Sequence, residues 1–338
     1  MVTKNKRPTL QDVAEQVGVT KMTVSRCLRD PNNVSQALRE KITQAVEDLG
    51  YIPNRAPDIL SNAKSHAIGV LVPSLTNQVF AEIIRGIESI TEPAGYQLML
   101  AHYSYSIDQE EKNVEMLLSY NVDALILSES HHSERTRKMI KTAGVPVIEI
   151  MDTSSPFLEQ AIGFDNHAAA KAMTNAMIEH GHHNIIYFAA RLDVRTRLKL
   201  AGYEAAMLSH GLQPVSLQTT HASSFSLGAD LLHKALEEHP NTDGIFCTND
   251  DLAVGAIYEC QRLGIQVPQD IGIAGFHGHD LSNIMVPKLA TVVTPREQIG
   301  VISAQQILNR LNGKPIVNST IDLGFIIELR DSISHKPA

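Results

Sequence analysis

Lys21, Met22, Thr23, Ser25, Arg26 and Arg29 crowd into one short stretch near the start of this 338-residue chain. The cations and hydroxyls offer hydrogen bonds and Met22 offers apolar contact, and the stretch holds no nucleophile with a base beside it. Its chemistry is recognition of acceptor-rich surfaces such as base edges and phosphates. A second set lies far down the chain: Arg195, Arg197, Lys199, Asn249 and His277. Cations, an amide and an imidazole suit a small molecule that carries hydroxyls and negative charge.

The elements that must position the first set read as two short helices joined by a tight turn, from Thr9 to Arg29. Leu10, Val13, Ala14 and Val17 recur at helical spacing behind Thr9, a capping residue with Asp12 three positions on. Gly18 follows the last periodic residue, where a left-handed backbone costs a residue without Cβ little. Thr20 can cap a second helix that buries Val24 and Leu28. A third helix, from Gln36 to Leu49 behind Ser35, carries the stripe Leu38, Ile42, Ala45, Val46 and Leu49. Two such short helices share little core, so the second keeps a face free to enter a DNA major groove. Lys21, Met22 and Arg26 are the expected base readers, with Thr9, Thr23 and Ser25 alongside; Lys4, Lys6 and Arg7 are placed for phosphates. Beyond this head, Pro53 ends helical structure and Asn54 can cap a further short helix that tolerates Pro57 in its first turn.

The run VAEQVGVTKMTVSRCL, followed by GYIPN, resembles the lac-repressor (LacI) family of bacterial transcription regulators, and the resemblance extends over essentially the whole chain. The stretches YIPNRAPDILSNA, PSLTNQVFAEIIRGIES, DGIFCTNDDLAVGA and IAGFHGHD are most similar to members that answer to gluconate, and next to those that answer to idonate. The resemblance implies a homodimer whose two heads read a pseudopalindromic double-stranded operator. It implies a hinge over residues 54–65, where Asn54, Arg55 and Leu60 meet DNA and Leu60 wedges into the minor groove. It also implies a sugar acid such as gluconate, bound between two lobes, that releases the operator. The family contains members that need ligand in order to bind, and members that answer to idonate, to keto- or phospho-sugar acids, or to neutral sugars. No cofactor is implied.

Composition fits that division. The first 64 residues carry 10 Lys and Arg against 7 Asp and Glu, whereas the remainder carries 19 against 30, so a basic head sits on an acidic body. No apolar run approaches the 18 or so residues that span a bilayer, and MVTKNKRPTLQD lacks the apolar core of a signal peptide. Cys27, Cys247 and Cys260 are widely spaced, without the pairing of a zinc site or disulfide framework. A bacterial cytoplasmic protein is expected. No leucine heptads follow the last strand before Ala338, so a dimer is expected rather than a tetramer.

From His66 onward the pattern becomes strand–helix. IGVLVP, YQLMLAHY, DALILSE and PVIEIM form one set of near-continuous apolar strands; NIIYFAA, a weak strand near Ser216–Thr220, GIFCTND and IGIAGF form a second. Parallel sheets covered on both faces are expected, as an α/β body of two Rossmann-like lobes resembling periplasmic sugar-binding proteins. The expected divisions are a head over 1–53, the hinge over 54–65 and a body over 66–338. The first lobe then spans about 66–163 and 294–321, and the second about 164–293 and 322–338.

Ligands of open α/β sheets sit beyond the carboxyl ends of strands. Those ends nominate Ser74, Asn77 and Phe80 in the first lobe, and Asp165, Arg195, Lys199, Asn249 and His277 in the second. Asn249 matches the family position that hydrogen-bonds effector hydroxyls. Two departures from the family pattern stand out: Lys199 where many members carry Arg, and His277 where neutral-sugar members carry Asp. Exchanging a carboxylate for an imidazole removes a repulsion against an anionic ligand, which favours a sugar acid. Arg195 and Arg197 cannot both line one cleft, being alternate residues of a helix. Glu149 and Asp152 close a strand, and the register leaves open which of them reaches the ligand. His131-His132, His182-His183 and His277/His279 lack a second ligand set for a metal and are expected to hydrogen-bond. An enzyme reading has no GxGxxG after a strand, no phosphate-binding GxxxxGK loop and no nucleophile elbow to support it. A transport binding protein accounts for the body but not for the head.

Overall fold

The computed structural model describes residues 7–54, 64–154 and 156–333. Lys4, Lys6, Arg55, Pro57 and Leu60, and with them the expected hinge helix, lie outside the described residues. The chain divides into two compact units, Met1–Ser65 and His66–Ala338.

The first unit holds α1 (Leu10–Val17), α2 (Lys21–Arg29) and α3 (Gln36–Leu49), with a short 3-10 turn over Pro31–Asn33. Thr9 and Asp12 form a reciprocal capping box, Gly18 adopts φ 75°, and the Thr20 hydroxyl accepts from the Thr23 amide. Val13, Ala14, Val24, Cys27, Ile42 and Ala45 make the core. One expectation is corrected: Leu28 is 36% exposed, and Cys27 takes the buried position one turn after Val24. The approach of three short helices leaves room there for a small thiol, and the bulkier leucine faces outward.

In the second unit, β1 (Ala67–Val72), α4 (Gln78–Thr91), β2 (Gln97–His102), α5 (Ile107–Ser119), β3 (Ala124–Leu127), α6 (Glu134–Ala143), β4 (Val147–Ile150) and β5 (Ala161–Gly163) build a first lobe. The chain then crosses to a second lobe through α7 (Asn166–Glu179), β6 (Ile185–Ala190), α8 (Val194–Ser209), β7 (Val215–Thr219), α9 (Phe225–Glu238) and β8 (Gly244–Cys247). That lobe continues with α10 (Asp250–Leu263), β9 (Gly272–His277), α11 (Leu281–Ile284) and β10 (Ala290–Val293). Helix α12 (Arg296–Leu311) returns to pack on α4, β11 (Thr320–Asp322) joins the first sheet and β12 (Ile326–Glu328) joins the second. The two sheets have matching orders, β2-β1-β3-β4-β5-β11 and β7-β6-β8-β9-β10-β12. All their ladders are parallel except β10–β12. Strand β5 was not expected, because three residues are too few to register as an apolar run.

Helices α4 and α12 cross at glycine. A Cβ on Gly86 would lie 2.3 Å from the Glu297 carbonyl oxygen, and one on Gly300 would lie 2.1 Å from that of Ile83. Both neighbours are backbone, so only a shift of a whole helix can relieve the clash. Gly86→Ala is expected to cost about 1–3 kcal/mol and to lower the melting temperature of the body by roughly 5 °C in scanning calorimetry. An unchanged melting temperature would mean that the crossing is not tightly packed.

Candidate functional site

A small cleft, open to solvent on one side, lies between the carboxyl ends of the two sheets. Asn77 and Phe80, at the start of α4, come from the first lobe. Arg195 and Lys199 on α8, Asn249 after β8 and His277 at the end of β9 come from the second. These six of the expected residues meet there. Ser74 and Asp165 do not. Ser74 turns back on its own loop, accepting from the Thr76 amide at 3.2 Å. Asp165 is exposed and caps α7, accepting from the Ala168 amide at 2.8 Å. Both stand where first-turn or loop amides lack partners, and that local demand takes their oxygens. Arg197 points outward, its Nε donating to the Leu192 carbonyl at 3.0 Å.

Neither Glu149 nor Asp152 lines the cavity. Glu149 accepts from the Leu158 amide and lies 3.2 Å from His132 Nε2, and Asp152 accepts from Asn166 Nδ2 at 3.2 Å. Met151, between them, lines it instead. His132 is an internal ion-cluster member rather than a ligand: burial opposes its charge, but Glu110 (2.6 Å) and Glu149 prevail and push its pKa up to about 9. Among the described residues no group of three or more His, Cys, Asp or Glu can hold a metal ion.

Sequence reasoning missed Tyr105, Arg191, Asp193 and Ser223, which also line the cavity. Arg191 and Asp193 directly follow β6, a position at a strand's carboxyl end that could have found them.

The electrostatics of the cavity centre on Lys199. Its Nζ donates to the Thr248 carbonyl at 3.2 Å and to His277 Nε2 at 3.1 Å, and it sits 3.8 Å from the centre of the Phe276 ring. Burial, reinforced by Arg195, draws the amine down to about 7 against the opposing pull of Asp193 and Asp250. The same burial, with Lys199 beside it, holds the His277 imidazole well below its usual range, so His277 is a neutral acceptor. Its backbone has φ 101°, and its carbonyl is gripped by Arg296, which pairs with Glu82 of α4 at 2.8 and 3.0 Å. Asp193 caps α8, accepting from Thr196 N at 2.8 Å. Burial works to raise that carboxyl, but Arg195 and the Thr196 amide outweigh it and hold the group below the usual range. Asn249 is partly committed: its oxygen caps α10 and its Nδ2 donates to Ser223 Oγ at 2.6 Å. With Lys199 charged, three cations (Arg191, Arg195 and Lys199) face one carboxylate, Asp193. Tyr105, Met151, Arg191 and His277 all take positive φ, the kind of strain that collects at binding sites.

On the head, Met22 is 70% exposed and shares a face of α2 with Ser25, Arg26 and Arg29, bounded by Asp30 and Asn33. Lys21 and Asn54 are exposed as well. Thr9 and Thr23 are partly engaged by the two helix caps. Three helices that present such a face, on a unit separate from a two-lobed body with a polar cleft between its lobes, suit a reader of DNA joined to a sensor of small molecules.

Comparison with known proteins agrees. Residues 9–54 match the family described as bacterial regulatory proteins, lacI family, and residues 65–328 match periplasmic binding proteins and sugar binding domain of LacI family. The HTH-type transcriptional regulator GntR of Escherichia coli (strain K12) is 58% identical over 98% of this chain and 100% of its own length. IdnR of the same strain, also an HTH-type transcriptional regulator, is 44% identical over 96% of this chain and 98% of its own. The lac repressor dimer bound to operator and the anti-inducer ONPF superposes with a TM-score of 0.85 at 26% identity, covering 97% of this chain and all of that one. This chain therefore belongs to the LacI family, as a DNA-binding transcription regulator and not an enzyme.

Proposed function

We propose that this regulator represses sugar-acid catabolism genes of the gluconate type, and that it leaves a pseudopalindromic operator when a sugar acid such as gluconate enters the cavity between the lobes. One observation carries the reading. Lys199 stands against a neutral His277 rather than a carboxylate, with Arg191 and Arg195 nearby, so the cavity offers an anion several charge-assisted donors and little repulsion. Asn249, Ser223 and Phe80 supply polar and apolar contacts for a polyol chain. On the head, Lys21, Met22, Ser25 and Arg26 are the proposed base readers.

Calorimetric titration with gluconate, galactose and ribose tests the effector class. Binding of gluconate alone is expected, and binding of only a neutral sugar would sink the reading. A pH series adds a sign. Lys199 is charged below about pH 7 and loses its proton above, so gluconate affinity is expected to fall severalfold between about pH 6 and pH 9. Equal affinity across that range would show that the ammonium does not meet the ligand.

A further inference from the structure

Two of the three cations that line the cavity, Arg191 and Arg195, are already engaged across the two lobes, both by neutral partners. Arg191, after β6 in the second lobe, donates from Nη1 to the Tyr105 hydroxyl at 2.7 Å, and its guanidinium carbon lies 4.5 Å from the centre of the Tyr105 ring. Tyr105 follows β2 in the first lobe. Arg195 likewise reaches the Ser128 carbonyl of the first lobe. A phenol and a carbonyl are neutral acceptors, weaker for a guanidinium than a carboxylate, which accepts two parallel charge-assisted bonds. Arg296 is the contrast. It reaches the His277 and Gly278 carbonyls of the second lobe, but a bidentate pair with Glu82 of its own lobe already holds it, so an incoming carboxylate has nothing better to offer it.

The backbone points the same way. Ser104 and Tyr105 are consecutive left-handed residues at φ 50° and 59°, and Arg191 and Leu192 are their counterparts at φ 68° and 51°. Paired positive φ at non-glycine residues persists only where surrounding contacts hold it. The two segments that meet at the clasp are both under strain.

We propose that Arg191 and Tyr105 form an effector-displaceable clasp: the carboxylate of a sugar acid takes Arg191 from Tyr105, freeing the two segments, and the strength of this clasp sets the effector concentration at which the regulator responds. The inference rests on the sugar-acid reading for its ligand. Its sign is unusual, because removing the Tyr105 hydroxyl removes a competitor of the ligand and leaves Arg191 in place.

The test compares full-length wild type with Tyr105→Phe and Arg191→Met. Tyr105→Phe is expected to bind gluconate about three- to tenfold more tightly and to release operator at correspondingly lower gluconate, whereas Arg191→Met is expected to bind at least tenfold more weakly. Weaker binding by Tyr105→Phe would overturn the clasp, making the phenol an ordinary ligand contact. Hydrogen–deuterium exchange on the ligand-free proteins is independent of which sugar binds. The amides of Ser106 and Arg191, bonded to the Tyr103 and His221 carbonyls, are expected to exchange faster in Tyr105→Phe, with β1 and β6 unchanged. Equal exchange at both amides would overturn the clasp. Failure of wild type to bind gluconate would instead count against the sugar-acid reading, and the exchange result would still decide the clasp.

Discussion

His277→Asp is expected to reduce gluconate affinity at least about 100-fold while leaving operator binding intact. The substituted carboxylate would sit where the imidazole now accepts from Lys199 at 3.1 Å. There it would claim the ammonium for itself and present a second negative charge, beside Asp193, to an anionic ligand. Like charges facing each other across a desolvated contact cost several kcal/mol, and about 3 kcal/mol already corresponds to that factor. The backbone tolerates the change, because position 277 has positive φ and aspartate enters that region more readily than most residues. Calorimetry with gluconate and with galactose on the same preparation gives the answer, with a melting curve to show that the body is folded. A neutral sugar gaining on gluconate would fit the proposal. Undiminished gluconate affinity would mean that the ligand's negative charge lies elsewhere.

Ile42→Ala is expected to abolish operator binding and spare the effector site. Ile42 is fully buried at the centre of a six-residue core in the head. Truncating a buried isoleucine costs about 2–5 kcal/mol, and a unit of this size has only about 3–5 kcal/mol to lose. The side chain points into the core and not toward the face that carries Met22 and Arg26, so the loss acts through folding rather than through a missing DNA contact. Circular dichroism should show a low-temperature helix loss, and gluconate titration should match wild type because the body is a separate compact unit. Retained operator affinity would contradict the small-core account of the head.

The head was legible because its signals are local. Thr9 with Asp12, Gly18 and Thr20 each act within one turn of the residue they define, and the structure uses each of them as a cap or a left-handed stop. Leu28 went wrong because periodicity alone allows either the third or the fourth residue after Val24 to turn inward. The body's strands were equally plain, since burial on both faces leaves continuous apolar runs. Short β5 and the edge pairing of β11 and β12 depend on neighbours distant in sequence. In the cavity, Lys199 and His277 could be nominated from strand ends, but not their mutual hydrogen bond, which joins residues 78 positions apart. Ser74 and Asp165 satisfied the same rule and were taken by local amides instead. Tyr105 and Arg191 escaped notice because their meeting is a contact between lobes, and no spacing within either lobe records it.

The central claim joins the head to the cavity, so one titration addresses it most directly. The full-length protein is mixed with a fluorescent duplex selected from a pool of randomised pseudopalindromes, and anisotropy is followed with and without millimolar gluconate at one salt concentration. Fixed salt matters because phosphate contacts make affinity fall steeply with ionic strength. Tight binding that gluconate weakens at least about tenfold, with galactose and ribose inert, is the expected result, equivalent to a coupling of roughly 1.4 kcal/mol or more. Tight binding that gluconate leaves unchanged or strengthens would contradict release by a sugar acid bound in the cleft that Lys199 and His277 line.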